Sequence, residues 1–385
     1  MKTVTLLNCF IVTLLLALFF VFPTTVQAIE DPLATPNNKI GIHVLFPAEI
    51  KEAAQLINSS GGDWGYVIVP IQSGDRDLTK WQQFMDDARI MHVIPIIRLA
   101  TEGDYFNTKV WRKPTPADIL DFANFLHSLQ WPVKNRYIVV FNEVNRADEW
   151  GGVVDPTDYA QLLSYAVTTF KSKTQDFFMI SAGLDNAAPN APGYMDKLDY
   201  LRAMNLSVPG IFYQIDGLSS HAYPNPGFSQ PPSRITSQSI ASFRYETALL
   251  GELGSKKLPI FITETGWPRS VINDDTAASY YTQALTSVWN DPSIVAITPF
   301  LLRAGSPFHL FSFYLESGSP SQVYKTIKSY AKVKGAPTQL PLVLADKTAQ
   351  RSLPIKNYTS QQPGVYEVVI SENMRYALKW LLQLP

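Results

Sequence analysis

The sequence predicts an α/β fold, a closed (β/α)8 TIM barrel over residues 39–335 with a short C-terminal β-rich extension. Three observations predict it. Eight short β-branched runs are apolar at odd and even positions alike, which marks strands covered on both faces of a parallel sheet. A pattern of helical period follows each run, so the order β, α repeats eight times. The first run ends in Pro47-Ala48-Glu49 with no glycine fingerprint, which argues against an open doubly wound sheet and for a right-handed series that closes on itself.

The elements follow in order. The first strand is expected over 40–46 and its helix over 48–58; the second strand, opened by Gly65, over 65–71 with a helix over 78–91. The third strand, 92–99, ends on Arg98-Leu99 and leads to a helix over 117–129, whose start is signalled by Thr115-Pro116: a capping hydroxyl precedes a proline whose missing N–H costs nothing at the first helical position. Asp155-Pro156 repeats that signal after the fourth strand, 136–141, and opens a helix over 157–171. Strands over 177–182, 215–221, 259–263 and 294–301 complete the eight, with helices over 194–204, 237–253, 276–289 and 322–333. Residues 336–385 read differently: prolines punctuate 337–363, and alternating residues over 365–382 around Ser371-Glu-Asn373 suggest a hairpin. A piece this small is expected to pack on the barrel instead of standing alone.

Composition narrows the function. Lys+Arg 32 against Asp+Glu 33 leaves a formal net charge of −1, so no polybasic surface for nucleic acid or anionic lipid is expected. Residues 1–28 carry Lys2, an apolar stretch over 4–21 and Val26-Gln27-Ala28, the layout of a secretory signal. The stretch is long, so an uncleaved N-terminal membrane anchor is its rival, and a secreted or extracytoplasmic location follows from either. The single cysteine, Cys9, lies inside that segment, which leaves the mature chain without a disulfide or a thiol nucleophile. The five histidines show no metal spacing, and no phosphate loop or Gly-x-Ser-x-Gly elbow occurs, so no cofactor and no metal is expected.

Two strings carry the chemistry. Tyr137-Ile-Val-Val-Phe-Asn-Glu143-Val-Asn145 ends the fourth strand and Leu258-Pro-Ile-Phe-Ile-Thr-Glu264-Thr-Gly-Trp-Pro268 ends the seventh. Reactive groups of such barrels sit at the C-terminal ends of strands, so both glutamates are expected in one mouth. Two carboxylates there suit glycoside cleavage, one protonating the leaving oxygen and the other attacking the anomeric carbon. Either string alone would more often be a cap or a turn; together, on strands four and seven, they point to chemistry.

With Ser219-Ser220-His221-Ala222-Tyr223-Pro224 on strand six, these strings resemble the clan A glycoside hydrolases, retaining enzymes of the (β/α)8 fold. The segment Thr263–Pro268 is similar to the nucleophile segment of their β-1,3-glucanases and β-1,4-galactanases. The resemblance covers the barrel, not the tail. It implies Glu143 as general acid/base, Glu264 as nucleophile, Asn142 as the amide on the sugar 2-hydroxyl, and His221 and Tyr223 as groups that orient the nucleophile and line the sugar site. Two departures stand out: Val144 replaces the common proline, and no tryptophan follows strand eight, where Phe300 stands instead. Arg98 is the nearest candidate for the arginine that supports the nucleophile.

Trp150 and Trp267 are candidates to stack on pyranose faces, Trp150 reading equally as core packing, with Trp111, Tyr105 and Asp104 as outer candidates, because an indole offers a flat apolar face and a polar rim. His43 reads as a hydrogen-bonded rim residue. The resulting expectation is an exported retaining glycoside hydrolase acting on a β-linked oligo- or polysaccharide, membrane-bound only if the N-terminal segment is uncleaved. The rival is a catalytically silent barrel that binds glycans or a cell-surface partner.

Overall fold

The computed structural model describes residues 29–102 and 108–342. The expected signal at 1–28, the candidates Asp104 and Tyr105, and the hairpin at 365–382 lie outside the described residues.

Eight parallel strands form the barrel. β1 (Gly41–His43), β2 (Gly65–Gln72), β3 (Val93–Ala100), β4 (Arg136–Val139) and β5 (Phe177–Ile180) pair in sequence, as do β6 (Leu218–His221), β7 (Ile260–Glu264) and β8 (Ile294–Ile297). The two ladders meet at single parallel bridges, Ile180 with Gly217 and Ile40 with Ile297, so both edges are closed. Around them lie α1 (Ile50–Ile57), α2 (Leu78–Ile90), α3 (Pro116–Ser128), α4 (Pro156–Lys173), α5 (Lys197–Ser207), the one-turn α6 (Ile211–Gln214), α7 (Ser242–Glu252), α8 (Asp274–Thr286) and α9 (Gln322–Ser329).

The helix starts follow the capping chemistry. Thr115 and Asp118 form a capping box ahead of α3, and the side chain of Asp155 accepts from the Asp158 amide at the head of α4. α5 begins at Lys197, three residues later than expected, because the Asp196 carboxylate accepts the amides of Leu198 and Asp199 and fixes the first turn there.

Strand parity divides the core. Tyr66, Ile68, Ile94, Ile96, Tyr137, Val139, Phe178 and Phe261 fill the barrel interior, while their neighbours Val67, Val69, Ile97, Ile138, Met179, Ile260 and Ile262 pack under the helices. Below this core, residues 338–340 run along the barrel floor: Lys134 N donates to Thr338 O at 2.8 Å and Leu340 N to Pro132 O at 3.0 Å.

Candidate active site

Strand parity places Arg98. It follows Ile94 and Ile96 on the inward-facing side of β3, so its guanidinium rises into the barrel mouth. Glu264 needs a further device. It shares parity with Ile260 and Ile262, which face the helices, yet it enters the cavity because the ladder is irregular there. Ser220 pairs with Ile262, but His221 pairs with Glu264, so β7 carries one extra residue against β6. This bulge turns the carboxylate inward.

Glu143 is set on a strained turn. Phe141 and Glu143 hold positive φ of 71° and 29°, and the Glu143 amide donates to Gly183 O at 2.9 Å. Asn145, fully buried, clamps the turn from the other side: its amide group donates to Asp185 O at 3.0 Å and Met195 O at 2.9 Å, while its oxygen accepts from Asp185 N at 3.0 Å. Val144 is buried as well, so the departure from the Asn-Glu-Pro pattern is absorbed by packing.

These elements bring the glutamates together. An oxygen of Glu143, an oxygen of Glu264 and a ring nitrogen of His221 all lie within 4.8 Å of one another. Arg98 Nη1 donates to Glu264 Oε1 at 3.2 Å and also to Asn142 Oδ1, tying the amide to the carboxylate; Tyr223 OH donates to Glu264 Oε2 at 3.0 Å. His221 was expected to orient Glu264, but its Nδ1 donates to Glu143 Oε1 at 2.9 Å and stands 3.8 Å from Glu264 Oε2. Arg146 Nη1 donates to Glu143 Oε2 at 3.2 Å.

The charges follow from these contacts. Burial and the nearby carboxylates Glu264 and Glu143 hold the Tyr223 phenol well above its ordinary range, so it stays a donor. Burial alone would raise the Glu143 carboxyl, but the hydrogen bond and charge of His221, with Arg146 and Arg98, outweigh it and bring it below its usual value. His221 moves the other way: burial lowers it, but Glu264 and Glu143 raise it further, which favours the imidazolium. His43 is fully buried and held neutral by that burial, by Arg98 and by His221; it lies 3.5 Å from Glu264 Oε1.

A cavity of about 400 Å³ opens above these groups, within the size range of small-molecule sites. Arg98, Asn142, Glu143, Tyr223 and Glu264 all line it. The two tryptophans part company. Trp150 reaches the lining but is 1% exposed, packed edge-on against Phe141 and Tyr159, with its indole N–H on Asp158. Trp267 is 3% exposed, sits against Tyr280, Tyr281 and Trp289, and donates to Gln230 O at 2.9 Å. It packs behind the site, outside the lining, so burial in the core corrects the sugar-platform expectation. Phe300 and Trp111 do line the cavity.

Sequence reasoning missed several residues. Arg146 is three residues beyond Glu143, and Asp185 lies early in the loop after β5; the rule that chemistry gathers at strand C-termini would have found the second. Glu149 also lines the cavity, and burial with the Glu143 charge pushes its carboxyl up to about 7. Among the described residues, Glu143, His221 and Glu264 are the grouping whose spacing suits a metal ion, although the His221 Nδ1 is already engaged by Glu143.

No protein-family model matches the sequence, and no curated protein relative is found. Solved structures do match. One is a family 39 glycoside hydrolase from the gut symbiont Bacteroides cellulosilyticus WH2, with a TM-score of 0.54 and 19% identity over 79% of this chain and 65% of that one. A family 39 β-xylosidase from Caulobacter crescentus gives 0.55 and 15% over 76% and 71%, and a family 128 (subgroup II) endo-β-1,3-glucanase from Sorangium cellulosum 0.51 and 16% over 76% and 98%. The fold is that of the clan A glycoside hydrolases. At these identities the likeness is one of fold, and this chain spans less than two thirds of the first of these structures. Among the described residues no helix is long and apolar enough to cross a membrane.

Proposed function

We propose that the protein is a retaining glycoside hydrolase acting on a β-linked substrate, with Glu264 as nucleophile and Glu143 as general acid/base. The observation that carries this reading is the pair of cavity-lining carboxylates whose oxygens approach within 4.8 Å. So close an approach of oxygens agrees with the separation of about 5–5.5 Å between carboxyl groups that direct attack by one of them requires. The asymmetry of their partners supports the division of roles. Glu264 receives donors from Arg98 and Tyr223, which fix the direction of its oxygens, whereas Glu143 shares its hydrogen bond with an imidazole that can give up a proton.

In the first step Glu264 attacks the anomeric carbon, the glycosidic C–O bond breaks, and Glu143 passes a proton to the leaving oxygen. Glu143 is held ionised at rest, so the proton is carried on its hydrogen bond with His221: the pair holds one proton, delivered through Glu143 as the leaving oxygen gains charge. In the second step Glu143 takes a proton from water, and the hydroxide displaces Glu264. Two of the structural neighbours, a β-xylosidase and an endo-β-1,3-glucanase, act on β-linkages, which supports that anomer here. Export is part of this reading and rests on residues 1–28; a mature protein starting near Ile29 would bear it out, and retention of residues 1–28 would favour the anchor.

The test uses aryl β-glycosides with added azide. Glu264→Ala should yield an α-glycosyl azide, and Glu143→Ala a β-glycosyl azide from a substrate with a good leaving group. Turnover that survives both substitutions, or none by the unaltered protein alongside glycan binding, would overturn the assignment.

A further inference from the structure

The cavity has a mixed wall and a mostly apolar one. Arg98, Asn142, Glu143, Arg146, Glu149 and Asp185 supply polar atoms, with Trp111, Phe141 and Trp150 among them, while Leu45, Phe228, Phe300, Phe308 and Phe311 gather as an apolar cluster beside Asn225. The aromatic side is a self-supporting lattice apart from the main core. Phe228 meets Phe311 at 5.4 Å and 85°, Phe300 meets Phe308 at 5.4 Å and 86°, and Phe300 meets Phe311 at 5.7 Å and 76°, all edge-to-face. Tyr223 joins through Phe228 and Phe311, but its hydroxyl is committed to Glu264.

A sugar subsite pairs a flat ring with polar groups that take the equatorial hydroxyls, and phenylalanine rings have no donor or acceptor at their rims. The wall continues outward. Leu45 also lines a second groove, of about 700 Å³, with Phe46, Ala304 and Leu315. Some polar groups of that groove are engaged: Glu49 accepts the amides of Leu45 and Phe46, each at 2.9 Å, Arg303 pairs with Glu52 and stacks 3.6 Å over Tyr314, and His309 stands 3.5 Å from the exposed Glu316. Phe46 is left 52% exposed on its floor. An apolar surface thus leads away from the carboxylates.

From these walls we infer that the substrate is a glycolipid-type β-glycoside, whose sugar meets the mixed wall and whose alkyl aglycone lies along Phe228, Phe300, Phe308 and Phe311 and over Leu45 into the second groove. This inference rests on the proposed glycosidase reading and names its substrate class. The chemistry is unchanged: the aglycone leaves as a neutral alcohol after taking the proton from Glu143.

The test compares methyl, butyl, hexyl, octyl and dodecyl β-glycosides of whichever sugar is turned over, below micelle formation, with the matching β-linked disaccharide. All the alkyl members have nearly the same leaving-group reactivity, so kcat/KM reads seating of the chain. It should rise about two- to four-fold per methylene over the first few and then level off, since each buried methylene is worth about that factor. Phe46→Ser, at an exposed position, should lower the dodecyl-to-methyl ratio, which is internally corrected for folding. A flat series, or a disaccharide preferred over the octyl glycoside, would overturn the inference and leave the hydrolase standing. No turnover of any glycoside, activated aryl ones included, would remove both.

Discussion

Glu149→Gln separates a buried neutral carboxyl from a paired one. Glu149 lines the cavity, and burial, with the Glu143 charge, pushes it up to about 7 from its ordinary 4.5. In the unfolded chain it ionises near that ordinary value. Between the two values the unfolded state gives up a proton that the folded state keeps, so this residue lowers stability as pH rises, by about 1.4 kcal/mol per unit. The loss starts near pH 4.5 and is complete above about pH 7, where it amounts to about 3 kcal/mol. Glutamine keeps the shape and cannot ionise. It should therefore stabilise the protein by about 3 kcal/mol at pH 8 but by about 1 kcal/mol or less at pH 5. At about 2 °C per kcal/mol for a chain of this size, thermal unfolding should show a gain of about 5 °C at the higher pH and little at the lower. An equal shift at both pH values, or a destabilisation at pH 8, would mean that Glu149 is ionised and held by Arg146, and would refute the reasoning.

Four further outcomes are expected. Gly183→Ala should reduce kcat by at least about a hundredfold with the circular dichroism unchanged, because a Cβ there would fall 2.1 Å from His221 Cδ2 and expel the imidazole. Tyr223→Phe removes one hydrogen bond to the Glu264 carboxylate and should cost about ten- to a hundredfold in kcat/KM, measured on an aryl glycoside. Trp267→Phe should lower stability in urea by about 2 kcal/mol and leave KM unchanged, since the indole fills core and bonds Gln230; a large change in KM would restore it as a sugar platform. His221→Asn should move the alkaline limb of kcat/KM to lower pH. The unaltered pair keeps its proton up to the raised His221 value, and Glu143 alone releases it earlier, so an unmoved limb would show that Glu143 carries its proton unaided.

The alternation that predicts the barrel is legible because burial on both faces writes itself into every strand position. The ladder ends are less so. Of the run over 40–46 only Gly41–His43 forms a continuous ladder, with Ile40 in a single bridge, because Leu45 turns into the apolar wall and Phe46 toward solvent, and the run over 294–301 forms one only at Ile294–Ile297 before Phe300 and Leu301 join that wall. Residues that cover a cavity are as apolar as residues in a sheet, and periodicity does not separate them. The same ambiguity governs the tryptophans: an indole after a strand end suits a platform and a core equally, and only the neighbours Tyr280, Tyr281 and Trp289 decide for Trp267.

The site divides in the same way. Glu143 and Glu264 were legible because strand ends in a barrel converge, but that argument gives the end and not the side. On strict alternation Glu264 would face the helices with Ile260 and Ile262, and the bulge opposite His221 reverses it. The extra residue is a property of the pairing between two strands, so neither strand's own sequence announces it. His221 reaches both glutamates for a related reason: its position on β6 sets it 3.8 Å from Glu264, while Gly183, from the loop after β5, leaves the space that lets the ring bond Glu143 as well. The apolar wall is the extreme case, assembled from Leu45, Phe228, Phe300, Phe308 and Phe311 on loops after β1, β6 and β8. Chemistry carried by one strand end can be read locally; a wall shared among three loops exists only once the barrel has closed.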